Sequence, residues 1–394
     1  MNEQNIRSVV ESSTGLKIAV VGIGNAGGQV ALAAAKKAIP VFVMNTSVKD
    51  LDDEVLAGNI KSYQIGDGRG SGKDRDNAMA LLKSDGNASI KDIFTNPYFR
   101  QIVEPADVVF VTFSTAGGTG SGIGPTFAKM IHQAYKNKVV IPYGILPKNA
   151  ESVMAQSNAI ACVDDMTKCG TPYMLSDLSF YENDSQEVSF QKIGQYMAET
   201  MCVIRGDYLK MSAHGMADER DVLTVISEPG YMTIHMKDGL TEPMLASKTL
   251  QGYLIDEIKN SPACRIQRDS LLQYNLLISN VNSALSDPMK VGDYSELNTY
   301  IGEPKATYAN YAVDDGISEF QIIAVTSGLT LPMDRFASAK AKIKANKEKY
   351  EKQSSLNAAL GSDRETLGVK GNDNTRSIIM GSKQSNEADL SFLD

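Results

Sequence analysis

Over roughly its first 180 residues, the chain alternates between short apolar runs and segments with helical spacing. The apolar runs are continuous, which is typical of strands buried on both faces of a parallel sheet. Helical segments between such strands indicate an α/β domain. The predicted strands are LKIAVVG (16–22), PVFVMN (40–45), KSYQIG (61–66), ADVVFVTFS (106–114) and KVVIPYGIL (138–146), and the predicted helices cover 27–38, 74–83, 89–103 and 124–137.

The second half of the chain has a different texture. Residues 187–204 predict one long helix, with apolar positions at helical spacing. Residues 230–332 predict a smaller α/β domain with a mixed sheet and a helix over 245–259. A basic helix is expected over 333–352, and residues 353–394, which are rich in Ser, Asn, Gly and Asp, predict a disordered tail that ends in ADLSFLD.

Composition bounds the class of protein. A chain of 394 residues is long enough for two domains, and 42% hydrophobic residues is typical of a globular protein. No apolar run approaches the ~20 residues that a membrane-spanning helix needs. The polar start MNEQNIRSVVESSTG does not resemble a secretory signal. We therefore expect a cytoplasmic protein with no membrane insertion.

Several kinds of chemistry are disfavoured by the residues present. The four cysteines are scattered and the chain has only three histidines, so we predict no zinc site and no cysteine–histidine catalysis. The net charge of -8 argues against direct binding to duplex DNA, which needs clustered cations. One basic stretch, KAKIKANKEKYEK, is the local exception.

Three glycine-rich loops follow predicted strands: GIGNAGG (22–28), IGDGRGSGKDR (65–75) and STAGGTGSG (114–122). Glycine lets a backbone approach phosphate, and a helix N-terminus attracts anions. The first loop also fits the dinucleotide pattern G-x-G-x-x-G, so an NAD-binding oxidoreductase remains an alternative. However, Asn45 stands where that fold needs a carboxylate, and a triphosphate uses several loops where a pyrophosphate needs one. The usual phosphate-loop pattern G-x-x-x-x-G-K-[ST] is absent.

The third loop makes the resemblance specific. STAGGTGSG resembles the GGGTG(S/T)G signature of the tubulin and FtsZ superfamily, with Ala116 in place of its first glycine. AVVGIGNAGGQV, VMNTSVKDL, IGDGRGSGKD and PKNAES resemble the superfamily's other nucleotide loops in order and spacing. The resemblance implies a parallel-sheet GTP-binding domain that binds GTP or GDP with Mg2+.

The resemblance also implies which residues contact the nucleotide. Glu151 is expected at the ribose, and Asp177 and Gln195 at the guanine base. The phosphate-side contacts implied are Gly22, Gly24, Asn25, Ala26, Gly27, Gln29, Asn45, Gly70, Gly72, Lys73, Ser114, Thr115, Ala116, Gly117, Gly118, Thr119, Gly120, Ser121 and Gly122.

The stretch HGMADERDVLTVISEPGYM (214–232) resembles the superfamily's synergy loop, whose acidic residues enter the nucleotide site of the next subunit. Asp218 and Asp221 then take the two acidic positions and are the expected catalytic residues, while Met216 replaces an amide. Acidic residues in a first helical turn also suit the helix dipole, which is the simpler explanation. The first reading implies a GTPase that polymerises head to tail. The second fits a filament that binds nucleotide and barely hydrolyses it.

The chain therefore divides into an N-terminal extension (1–15), a GTP-binding domain (16–186), a central helix with the synergy loop (187–229), a second domain (230–332), a C-terminal helix (333–352) and a tail (353–394). The extension and the basic helix are similar to the plasmid and phage tubulins (TubZ and PhuZ), which implies plasmid partition or bacteriophage DNA positioning. The terminus DLSFLD is similar to the adaptor-binding tail of FtsZ, so a cell-division filament remains an alternative. The resemblance thus implies self-association, a possible adaptor at the tail, and only indirect contact with DNA.

Overall fold

The computed structural model describes residues 15–50, 55, 59–210, 217–266, 273–282 and 294–366. Three features singled out in the sequence lie outside this range. They are residues 1–14 of the predicted extension, Met216, and the last part of the tail with its DLSFLD terminus.

The described strands form one sheet in the order β3-β2-β1-β4-β5-β6-β7-β10-β8-β9. Neighbouring strands from β3 to β7 pair in parallel. β10 runs antiparallel to β7 and β8, and β9 pairs in parallel with β8. The predicted parallel domain and mixed second sheet are confirmed. The strands are β1 (Ile18–Ile23), β2 (Val41–Asn45), β3 (Ser62–Gln64), β4 (Val108–Ser114), β5 (Val139–Leu146), β6 (Pro172–Asp177), β7 (Gly230–Leu240), β8 (Tyr274–Val281), β9 (Ala306–Val313) and β10 (Phe320–Leu329).

Helices cover both faces of the sheet. The described helices are α1 (Gly24–Lys36), α2 (Arg75–Thr95), α3 (Pro97–Val103), α4 (Thr119–Ala134), α5 (Val153–Thr167), α6 (Gln186–Arg205), α7 (Glu219–Ser227), α8 (Glu242–Leu245), α9 (Leu250–Lys259), α10 (Ser295–Ile301) and α11 (Met333–Thr366), with a 3-10 turn at Leu178–Tyr181. Strands β1 and β4 are buried almost throughout, as their continuous apolar sequences predict. Their alternate side chains fill two cores, one on each side of the sheet.

The long helix α6 matches the predicted central helix closely. It packs against α1, and a Cβ at Gly194 would lie 3.7 Å from the Cβ of Ala33. This close approach aligns the two helices side by side. Both therefore run from one edge of the sheet to the other.

The structure corrects the sequence-based boundaries in several places. The predicted helices 74–83 and 89–103 become α2 and α3. Residues 84–88, which lay between the two predicted helices, belong to α2, where Gly86 and Asn87 have positive φ angles; the break comes instead at Asn96, which caps α3. The predicted helix 245–259 is two helices, because Thr249 caps a new start for α9. The two predicted sheets are continuous, because β6 pairs with β7 at Pro172–Gly230.

The largest difference between the predicted and the observed elements is at the C-terminal helix. α11 continues to Thr366, so residues 353–366 are helical where a disordered tail was expected. Adding a residue to an existing helix is far easier than starting one, so a polar sequence can extend a packed helix. Among the described residues, no helix is both long and apolar enough to cross a membrane.

Candidate functional site

A polar cavity of about 470 Å³ opens at the carboxyl edge of the parallel strands. The loops after β1, β2, β3 and β4 meet there because parallel strands end at the same edge of a sheet. This is where open α/β sheets bind ligands. The lining is Ile23, Gly24, Asn25, Ala26, Asn45, Ser47, Lys49, Asp50, Arg69, Gly70, Ser71, Gly72, Lys73, Ser114, Ala116, Gly117, Gly118, Thr119, Gly120, Glu151, Ala155, Gln186 and Phe190.

Two helices begin at this cavity without a side-chain cap. The N-cap residues Ile23 of α1 and Gly118 of α4 make no capping hydrogen bond, and neither helix has an acidic residue in its first turn. In the same domain, Asp74, Ser152 and Ser185 cap α2, α5 and α6. The first N–H groups of α1 and α4 are therefore left for a ligand, and the positive ends of both helix dipoles favour an anion.

The loop after β3 has the backbone of an anion-binding turn. Gly66, Gly68, Gly70 and Gly72 have positive φ angles, and so does Lys73. Alternating residues in this conformation turn successive N–H groups inwards, which makes a concave site for anions. A Cβ at Gly118 would collide with Ser71 and with the backbone of residues 73 and 74. The glycine at position 118 therefore lets these two loops of the cavity pack directly together.

Hydroxyl and amide groups add fixed donors beside these loops. Thr119 Oγ1 lies 2.6 Å from Thr46 Oγ1 and 3.2 Å from Ser71 Oγ. Asn45 accepts from the N–H of Ser47 at 3.1 Å, which orients its amide. The amide nitrogen of Asn45 is then buried at the cavity and has no protein partner among the described residues. An unpaired buried donor is costly, so a ligand acceptor fits there.

Most of the predicted phosphate contacts are brought together in this cavity. Other predicted contacts lie behind the cavity wall. A Cβ at Gly22 would collide with the carbonyl oxygen of Gly27. The same oxygen accepts a hydrogen bond from Thr112 Oγ1 at 3.1 Å. Thr115 Oγ1 donates to the carbonyl of Ile145, and Ser121 Oγ donates to that of Gly117. A Cβ at Gly122 would strike the backbone of Arg75. These residues do not line the cavity and instead hold its walls close together.

Three predicted contacts lie elsewhere. Gln29 and Gln195 line a separate groove between α1 and α6. Asp177 ends β6, but both of its carboxylate oxygens accept hydrogen bonds from Arg335 of α11. Only 14% of the Asp177 side chain is exposed. Its hydrogen-bonding capacity is thus used inside the protein, and the structure does not bring it to the cavity.

The cavity also contains residues that sequence reasoning missed. Gln186 and Phe190 stand four apart at the start of α6 and so face the cavity together. Lys49, Arg69 and Asp50 add charge to its rim. Phe190 presents a half-buried ring suited to packing on a planar group. The sequence could have indicated these two residues, because a helix that begins after Ser185 places Gln186 and Phe190 on one side of its first turns.

Asp218 and Asp221 lie far from this cavity. The N–H of Asp221 donates to Asp218 at 2.9 Å and the N–H of Asp218 donates to Asp221 at 3.1 Å, which makes a reciprocal capping box at the start of α7. Glu219, which follows Asp218, lies against Gly15. A Cβ added to Gly15 would collide with the Glu219 carboxylate. Gly15 precedes β1, so this acidic turn lies at the amino edge of the sheet.

The length of helix α6 gives the approximate distance between the cavity and the acidic turn of α7. The first turns of α6 line the cavity, and its last residue, Arg205, donates to the carbonyl of Lys37 just beyond the far end of α1 at 2.8 Å. A helix of 20 residues spans about 30 Å. The acidic turn and the cavity of one molecule therefore sit at opposite edges of the sheet.

Thiol and imidazole chemistry finds no support in the described part of the chain. The four cysteines are free and buried. Burial raises the pKa of Cys169 and of Cys202 to about 11, and lowers the pKa of His235 to about 3. These groups are neutral near pH 7. No group of three or more His, Cys, Asp or Glu residues is placed to hold a metal ion within the described ranges.

Comparison with known proteins agrees with this geometry. Residues 17–177 match the family described as Tubulin/FtsZ family, GTPase domain. The chain is 28% identical over 225 residues to the tubulin-like protein TubZ of Clostridium botulinum C phage, covering 54% of this chain and 57% of that protein. It is 23% identical over 225 residues to a CetZ of Pyrococcus abyssi, covering 57% of each. The matches thus span little more than half the length of these curated relatives.

Solved structures share the fold over more of the chain. A GTPγS-form protofilament of TubZ from Bacillus thuringiensis serovar israelensis superposes with a TM-score of 0.68 at 15% identity, covering 90% of this chain and 98% of that one. The dinucleotide interpretation is not supported, because several loops, and not the first loop alone, build the cavity. Residues 17–177 therefore match the GTPase domain of the tubulin/FtsZ family in sequence, and the solved relatives share the fold.

Proposed function

We propose that this protein is a GTP-hydrolysing filament subunit that polymerises head to tail, so that each active site is completed by the adjacent subunit. The observation that carries the proposal is the placement of its two halves. The phosphate cavity lies at one edge of the sheet and Asp218 with Asp221 at the other, about 30 Å away. Stacking two copies edge to edge brings the acidic turn of one to the cavity of the next.

The surface around the cavity supports a contact between copies. Val48, Met154, Phe180 and Val188 are large apolar side chains that are substantially exposed. All four follow strand ends or begin helices at the carboxyl edge of the sheet, which is the edge where the cavity opens. Exposed apolar side chains grouped on one face are typical of an interaction surface. The solved TubZ protofilament is an assembly of the same fold.

The reaction assigns a task to each part. GTP binds with its phosphates at the free N-termini of α1 and α4 and at the loop after β3. Mg2+ prefers oxygen ligands and keeps several waters, so the Ser71 and Thr119 hydroxyls and Asp50, which line the cavity, suit a phosphate-bound ion. Asp218 or Asp221 from the neighbour orients a water in line with the γ-phosphorus and accepts its proton.

For the cellular role, we propose positioning or segregation of plasmid or phage DNA, acting in the cytoplasm. The similarity to a phage-encoded TubZ supports it, as does the long basic helix α11. DNA contact would be indirect, through an adaptor at the tail, because the chain is acidic overall. A cell-division filament is the second candidate, favoured by the DLSFLD terminus.

Sedimentation with different nucleotides tests the proposal. Purified protein should pellet as filaments with GTP or a slowly hydrolysed GTP analogue, and remain in the supernatant with GDP or ATP. Phosphate release should accompany the GTP sample alone. Equal pelleting under all conditions, or no phosphate release, would contradict the proposal.

A further inference from the structure

The loop that carries Glu151 is held from outside the GTPase domain. This loop, residues 147–151, joins β5 to α5, and Glu151 forms part of the cavity wall. Two cations of the C-terminal helix α11 reach it. Arg335 donates to the carbonyl of Pro147 at 2.6 Å, and Lys342 donates to the carbonyls of Asn149, Ala150 and Glu151. Four of the five carbonyls of a nucleotide-facing loop are thus bound by one helix that lies outside the domain.

The remaining polar groups of the loop are also satisfied. Glu182 accepts from the N–H groups of Asn149 at 3.2 Å and Ala150 at 3.0 Å. The carbonyl of Lys148 accepts from Gln156 at 2.7 Å and from the N–H of Glu151. The N–H of Lys148 donates to the Glu151 carboxylate at 3.0 Å, which fixes the direction of that side chain. The backbone groups of the loop therefore have hydrogen-bond partners, and α11 supplies most of the partners of its carbonyls.

Arg335 also joins this loop to the end of β6 and the 3-10 turn that follows it. Besides Pro147, its guanidinium donates to both oxygens of Asp177 and to Ser179 Oγ at 3.2 Å. Ser179 in turn accepts from the N–H of Asn149 at 3.2 Å. Only 12% of the Arg335 side chain is exposed. Paired charges at this depth favour one geometry strongly, because separating them leaves a buried charge unpaired.

Helix α11 has its own anchor beside these contacts. Phe336 and Ala339 are almost fully buried, and Ile343 packs at the edge of the same core. These positions follow helical spacing, so one face of α11 is fixed by apolar packing. From residue 345 to 355 the side chains are exposed. The helix is thus rigid where it touches the loop and accessible further along.

We propose that α11 acts as a clamp on nucleotide release, with Arg335 and Lys342 as positioning residues that hold the 147–151 loop, and with it Glu151, against the bound nucleotide. This rests on the proposed nucleotide site. A partner or neighbouring copy that moved α11 would loosen the loop and speed the release of the bound nucleotide without contacting the nucleotide itself.

Lys342→Met is the direct test, because it removes three hydrogen bonds and leaves no buried countercharge behind. Lys342→Arg should restore the contact, since a guanidinium also donates to carbonyls. Lys344→Met is the matched control: it makes the same charge change on the same helix at an exposed position. Two measurements are needed, hydrogen–deuterium exchange of the 147–151 segment without nucleotide, and the release rate of tritium-labelled GDP.

In Lys342→Met we expect faster exchange of the segment and GDP release faster by about 2- to 30-fold, the range in which residues outside a site modulate coupling. Lys342→Arg should lie near wild type and Lys344→Met should match it. Unchanged exchange would overturn the clamp, and so would faster exchange with unchanged GDP release. If wild-type protein retained no GDP, the proposed nucleotide site would be wrong, and so would the clamp's effect on GDP release. Hydrogen–deuterium exchange would still show whether α11 holds the loop.

Discussion

At the scale of single residues, neighbouring glycines of the STAGGTGSG loop lack a side chain for different reasons. A Cβ at Gly118 would collide with the loop after β3, and one at Gly120 would collide with the end of β4. A Cβ at Gly117 meets nothing within 4 Å in the protein, although Gly117 lines the cavity. Gly117 is therefore the position at which a side chain would disturb the ligand and spare the fold.

Gly117→Ala should fold normally and bind GDP and GTP on the order of 10-fold or more weakly, which is the loss expected for one hydrogen bond to a charged group. Isothermal titration with each nucleotide measures it. Gly28→Ala is the control, because its Cβ would make an ordinary 3.5 Å contact with Val43 away from the cavity. Unchanged affinity in Gly117→Ala would place the phosphates elsewhere.

More of the predicted phosphate-side residues than of the predicted base-side residues line the cavity. Glycine loops are local, so Gly24, Gly70 and Gly117 were identifiable from the chain alone. The environment of Asp177 depends on Arg335, a residue 158 positions away. No local pattern predicts that this carboxylate is held in an ion pair within the protein.

At the scale of elements, helix α7 begins with a capping box that explains Asp218 and Asp221 without any catalysis. Asparagine caps a helix about as well as aspartate, but it carries no charge and accepts no proton. Replacing the carboxylate by an amide therefore separates the structural role from the catalytic one.

Asp218→Asn should retain the wild-type melting temperature and GTP affinity, while steady-state GTP hydrolysis falls by about 10²–10⁴. Asp218→Ala should lose the same activity and also about 1 kcal/mol of stability, because the cap is gone. Phosphate release and thermal denaturation together measure both effects. If Asp218→Asn hydrolysed GTP at the wild-type rate, Asp218 would have only its structural role as a helix cap.

The C-terminal helix supplies a second prediction at this scale. Deleting residues 353–394 removes the last turns of α11 and the tail, but keeps Arg335, Lys342 and the buried Phe336. We expect the truncated protein to fold and to bind GDP with unchanged affinity in a titration. A truncated protein that is unfolded by circular dichroism would show that the distal part of α11 supports the core.

At the scale of the whole molecule, the alternation of apolar strands and helices was enough to predict the parallel sheet. The junction between the two sheets was not predictable, because β6 and β7 pair through only two residues, at Pro172 and Tyr173. The consequence of that continuity is functional. On the proposed mechanism, a single sheet with a cavity at one edge and an acidic turn at the other is the spacer between two half-sites.

The most direct test of this shared site is GTP turnover per molecule, measured by phosphate release across a range of protein concentrations. On the proposed mechanism each cavity gains its catalytic carboxylates only when another copy stacks on it, so turnover per molecule should be near zero in dilute protein and rise as filaments form. At a GTP concentration too low to saturate Gly117→Ala, an equimolar mixture of Asp218→Asn and Gly117→Ala proteins should turn over more GTP than the two proteins do separately, since their contact pairs one intact cavity with one intact acidic turn. Turnover per molecule that stays constant from monomer to filament would contradict the account.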